Sequence, residues 1–104
     1  MTDRELLELA AKAAELEVKW CDATEAFWTT DGYDSFTPLT DDADAFRLAV
    51  KLHLKIDVVP WGTIATKWNE SMYVDDAVPH NDDPYAATRR AIVKAAAEIG
   101  RGME

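Results

Sequence analysis

The stretch Leu54-Lys55-Ile56-Asp57-Val58-Val59-Pro60-Trp61-Gly62-Thr63-Ile64-Ala65-Thr66-Lys67-Trp68 decides the fold. Leu54, Ile56 and Val58 alternate with Lys55, Asp57 and Val59, the period-2 pattern of a strand with one face on a core. Val59-Pro60-Trp61-Gly62 fits a type I turn with proline at its second position, followed by glycine in the left-handed region. That combination is a three-residue hairpin loop closing on a bulge. On this register Ile64, Thr66 and Trp68 form the matching face of the returning strand. An antiparallel hairpin is therefore expected at the centre of the chain.

Working outward, helical patterns flank it. Thr40 is a good N-cap, followed by Asp41, Asp42 and Asp44 where carboxylates favour the positive end of a helix dipole. Ala45, Leu48, Ala49 and Leu52 continue at i, i+3, i+4 and i+7, Phe46 and Val50 widen that apolar face, and His53 terminates the helix. Downstream, residues 69 to 82 read as irregular, with a short strand at Met72-Tyr73-Val74. Asp83 as N-cap and Pro84 at the first position then open a last helix. Its inner face would be Tyr85, Thr88, Ile92, Ala95, Ala96 and Ile99, and Gly100 would end it.

Near the start, Thr2 and Glu5 have capping-box spacing ahead of Leu6, Leu9, Ala10 and Ala13, predicting a helix over 3–14. Its alanine-rich stripe lets a neighbouring backbone approach closely. Leu16, Val18 and Trp20 alternate as a strand, Asp22-Ala23-Thr24-Glu25 is a four-residue hairpin loop, and residues 26–30 return as a second strand. Residues 31–38 carry Gly32, Ser35 and Pro38 and read as a loop. The expected order is α-β-β-α-β-β-α, an α+β single domain over residues 1–104 with three helices on a small, mainly antiparallel sheet.

The chain has 104 residues, a size at which area scaling buries about 65% of the unfolded surface, enough for a core without metal or disulfide. Its net charge is −9. Such an acidic balance disfavours an ordinary nucleic-acid or anionic-membrane binder. One cysteine, Cys21, makes neither an internal disulfide nor a zinc site. No secretory signal or membrane span is read, so the expected location is the cytoplasm.

The acid is concentrated. Between Lys19 and Arg47 there are seven acids and no base, and between Lys67 and Arg89 five acids and no base. The first window also carries aromatic residues of the kind enriched in interface cores. Asp41, Asp42, Asp44, Trp28, Tyr33 and Phe36 are accordingly the candidate partner-binding residues, for a basic protein partner. The plainer account is that loops are polar and helix N-termini collect aspartate.

Catalytic chemistry is hard to assemble. A nucleophile would need a base, and only His53 and His80 are present. The acids near Cys21 should raise its thiol pKa. Residues 75–83, with four aspartates and His80, form the one stretch that could hold a hard cation, without the spacing of a calcium loop. Arg89, Arg90 and Lys94 form the one basic cluster, expected to pair with the acidic start of the middle helix. No catalytic residue, metal or cofactor is assigned.

Three segments together, Leu6 to Ala14, Pro38 to Leu52 with its Leu-Thr-Asp-Asp-Ala-Asp string, and Ala86 to Gly100 with its Ala-Thr-Arg-Arg-Ala-Ile string, resemble a family of small bacteriophage proteins, the phage ABA sandwich domain. The resemblance covers roughly 40% of the chain. It implies an α/β/α sandwich and a phage or prophage origin, and brings no catalytic residues. This chain departs from that pattern in having His53 where glycine follows the Lys-Leu of the middle helix. The expected function is a non-enzymatic accessory protein that binds another protein through acidic loops, inhibition of a nucleic-acid-handling system being its sharpest form. The alternatives are a small metal-dependent enzyme using the 75–83 stretch and a self-associating structural domain.

Overall fold

The computed structural model describes residues 2–30, 34–68 and 77–103. Along the chain run α1 (Asp3–Ala13), β1 (Val18–Cys21), β2 (Ala26–Thr29), β3 (Ser35–Phe36), α2 (Asp42–Lys51), β4 (Leu54–Val59), β5 (Gly62–Lys67), β6 (Val78–Pro79) and α3 (Pro84–Arg101). The fold is α+β with three helices and antiparallel strands, as the sequence leads one to expect. The strands divide into two three-stranded sheets, β1-β2-β3 and β4-β5-β6, where one sheet was expected. The two added strands, β3 and β6, are two residues each and arise in stretches whose composition reads as loop.

The caps follow the local chemistry. Thr2 Oγ accepts from the Glu5 N–H at 3.1 Å, and Asp83 Oδ1 accepts from the Tyr85 and Ala86 N–H groups. The middle helix is capped one residue later than expected. Asp41 Oδ2 accepts from the Asp44 N–H at 3.0 Å, while the Thr40 hydroxyl donates back to the Thr37 carbonyl in the preceding turn. His53 follows α2 at φ 55°, the left-handed position where glycine is favoured.

Gly100 lies inside α3, not at its end, and Gly102 is the C-cap. A Cβ on Gly100 would stand 2.0 Å from the Leu9 carbonyl oxygen of α1, so only glycine admits that approach. The alanine stripe of α1 serves the same contact: Ala10, Ala11 and Ala14 are buried against Val93, Ala96 and Ala97 in one continuous core. Phe27 and Phe36, neighbours across β2 and β3, Leu48 of α2 and Ile92 of α3 complete it.

The central hairpin departs from expectation in register. Val59 pairs with Gly62, which makes the loop two residues long and puts Gly62 first in β5. Val58 therefore faces Thr63 and Ile56 faces Ala65, while Ile64 sits opposite Asp57. A slip of one residue turns every side chain of a strand to the other face. The glycine is required for packing: a Cβ there would lie 2.9 Å from the Val78 carbonyl oxygen of β6.

Candidate functional site

Helix α2 separates two hollows. Its buried residues, Ala45, Leu48 and Ala49, fix how it sits. With 3.6 residues per turn, Phe46 and Val50 then stand roughly 100° and 140° round from Ala45. Asp44, Arg47 and Lys51 line the first hollow, and Phe46 and Val50 line the second.

The first hollow, a cleft of about 850 Å³ between α2 and the β2-β3 strands, gathers four of the six sequence candidates: Trp28, Phe36, Asp41 and Asp44. Each is already committed. Phe36 is 5% exposed and belongs to the core. The half-buried Trp28 donates its indole N–H to Thr24 Oγ at 2.9 Å. Asp41 caps the helix. One Asp44 oxygen accepts from the Thr37 N–H at 2.9 Å and from its hydroxyl, and the other takes Arg47 Nη1 at 3.0 Å. The part-buried bonds from Thr37 contribute most, while the Arg47 pair, with the arginine largely in solvent, adds about 0.2–1 kcal/mol. The remaining two candidates are elsewhere. Asp42 points to the opposite side of α2, where it pairs with Arg89, and Tyr33 lies outside the described residues.

Arg89 thus makes the expected bridge to the start of α2, and it also donates to the Leu39 carbonyl at 2.9 Å. Arg90 does not join it; its partner is Asp3 of α1, at 2.9 Å. Arg89 and Arg90 thus tie the second turn of α3 to the starts of α2 and α1.

The second hollow was not anticipated. It is a wedge of about 870 Å³ where α2 and β4 diverge from the Leu52-His53 turn, with α3 at the back. Phe46 and Val50 form one wall, Ile56 and Val58 the other, and Tyr85 and Ile92 line the back. Phe46 is 63% exposed, Val50 58%, Val58 57% and Tyr85 72%, so residues expected in the core stripes face solvent. A signal for this was present. The apolar arc of α2, from Leu48 round to Val50, spans about 200°, twice what one packed face needs.

A third cluster is internal. Thr63 Oγ lies 2.9 Å from His80 Nε2 and 2.8 Å from Thr88 Oγ. A hydroxyl on an imidazole nitrogen is the arrangement of an activated nucleophile. Here Thr63 is 0% exposed and its oxygen is shared with a second hydroxyl, so no substrate reaches it. The trio joins β5, the residue after β6, and α3.

Among the described residues no group of three or more His, Cys, Asp and Glu could hold a metal ion, and Asp75 and Asp76 lie outside them. Among those residues, too, no helix is long and apolar enough to cross a membrane. The Cys21 thiol is lowered from its ordinary pKa, against the sequence expectation. Hydrogen bonds from the Thr24 hydroxyl and from the Thr24 and Ala23 N–H groups in the hairpin loop outweigh partial burial and the Asp22 charge.

No family model, curated protein or solved structure matches the chain.

Proposed function

We propose that this chain is a non-enzymatic protein-interaction domain whose contact face is the wedge between α2, β4 and the start of α3. The observation that carries the reading is the exposure of Phe46, Val50, Val58 and Tyr85 around one hollow. Scattered surface hydrophobes are ordinary, but a continuous apolar hollow with a polar rim is the form of a docking site. The acidic interface expected from composition enters as the rim and the surrounding field. It steers a basic partner and discourages self-association between copies that each carry −9. The carboxylates of Asp41 and Asp44 belong to helix capping and loop bracing, so the contact energy falls to the apolar wedge.

The test is selection of binders from a random peptide display library, with the wild-type chain and the Phe46→Ser, Val50→Ser double variant as parallel baits. Both side chains are exposed, so the variant should melt close to wild type. Binders enriched by the wild type and lost by the variant are the expected result. Binders held equally by both would remove the wedge as the contact face.

A further inference from the structure

Resting on that reading, we infer that the occupant of the wedge is an extended segment of another protein, added as a strand to the open edge of β4. Its residues are apolar at alternate positions, with a lysine or arginine between them. β4 is an edge of its sheet and pairs with β5 on one side only. The Val59–Gly62 pair closes the hairpin, so Val59, Asp57 and Lys55 exchange main-chain bonds with β5 in the antiparallel alternation. The N–H and C=O groups of Ile56 and Val58 then point away from the sheet. Among the described residues no main-chain bond from another segment reaches them. Leu54, Ile56 and Val58 line the wedge, whereas no residue of β5 does. The hollow is therefore the space beside the open edge, with α2 as its far wall and α3 as its floor.

That placement selects the backbone of the occupant. A helix, its own groups bonded internally, would cover the outward N–H and C=O groups of β4 and leave them without partner or water. An added strand pairs them. Spacings of about 4.8 Å within a sheet, 10 Å between layers and 3.3 Å per residue allot roughly 160 Å³ to each added residue. A hollow of about 870 Å³ then holds roughly five, the length of Leu54 to Val58. The side chains follow from the two faces of β4. On the inner face the segment meets Phe46, Val50 and Ile92, and Asp42 and Arg89 answer each other there, so alternate residues are apolar. On the outer face stands Asp57, exposed and without an ion-pair partner among the described residues. A lysine or arginine directly across from it completes a cross-strand pair.

The probe is a seven-residue synthetic peptide of alternating valine and lysine, measured by fluorescence anisotropy in three forms: unmodified, N-methylated at its central lysine, and N-methylated at an adjacent valine. Only every second N–H of an added strand meets its neighbour. One methylated form should therefore bind at least tenfold more weakly than the unmodified peptide, and the other within about twofold of it. Which form loses reports whether the strands run antiparallel or parallel. In the complex, amide hydrogen exchange at Ile56 and Val58 should slow at least tenfold, while Lys55 and Asp57, already bonded to β5, change little. Asp57→Asn should weaken binding by about two- to fivefold. Glu17→Gln, which removes the same charge beside the other sheet, should leave it unchanged.

Loss with both methylated forms or with neither would overturn the inference. So would unchanged exchange at Ile56 and Val58, or no binding of the unmodified peptide. Equal effects of the Asp57 and Glu17 substitutions would remove the cation from the occupant. A dimer seen by light scattering that protects the same two amides would make a second copy the added strand, and the other-protein occupant would fall. If the library returns wedge-dependent binders that bind as helices, the interaction domain stands and only the added strand falls.

Discussion

Replacing Gly100 by alanine separates two physical effects of opposite sign. On helix propensity alone the change should stabilise α3, since glycine in a helix interior costs about 1 kcal/mol relative to alanine. The packing predicts the reverse. The new Cβ would lie 2.0 Å from the Leu9 carbonyl oxygen, where ordinary contact begins at 3.4 Å, with the Leu9 carbonyl carbon at 2.8 Å behind it. Those atoms are backbone in the middle of α1, so no side chain can rotate away. The whole of α1 must retreat from α3, and Ala10, Ala11, Val93, Ala96 and Ala97 lose contact together.

Overpacking costs about 1–3 kcal/mol where neighbours can adjust, and a rigid helical neighbour puts this site at or above the upper end. Net of the propensity gain, we expect about 2 kcal/mol or more of destabilisation. A domain of this length has on the order of 5–15 kcal/mol in total. At about 4–8 °C per kcal/mol the Tm should fall by roughly 10 °C. Thermal melting followed by circular dichroism reads it directly. A Tm that is unchanged or raised would refute the close approach of α1 and α3.

Three further outcomes are expected. His53→Gly should raise stability by about 1 kcal/mol, because a left-handed backbone costs an L-residue about that much; a lower Tm would show that histidine contributes more by contact than it loses in conformation. Thr63→Val keeps the shape but leaves His80 Nε2 and Thr88 Oγ without their shared partner, costing about 1–3 kcal/mol in urea unfolding. A neutral result would mean that the two groups find each other or water. The Cys21 thiolate should persist to lower pH than an ordinary thiol, so the pH midpoint of its alkylation should lie below that of a free cysteine thiol measured alongside and rise in Thr24→Val. An identical midpoint in the two proteins would exclude the Thr24 hydroxyl as the cause.

What local chemistry controls was legible in the chain. The first-turn carboxylates, Thr2 and Asp83 as caps, Pro84 at the first helical position, and the 3.6-residue periodicity of α1 and α2 define helices near where they form. Alternation and the Asp22 to Glu25 loop define the β1-β2 hairpin. Each depends on residues within a turn or two of one another, so sequence order is enough. The concentration of acid was equally plain, and so was the bridge from Arg89 to the middle helix.

The features that make the candidate site depend on distant contacts. Gly62 and Gly100 read as a turn residue and a helix end; β6 crossing one and α1 pressing on the other give them their roles. The two-residue loop at Pro60-Trp61 put Thr63 opposite Val58, within reach of His80, and turned Ile64 to the other face. Phe46, Val50 and Tyr85 have the apolar character of core residues, and their periodicity cannot say which part of a broad arc will be covered. That depends on how many neighbours surround the helix. With α3 behind and β4 diverging, the supply of covering surface ends before the apolar arc does, and the uncovered remainder is the wedge.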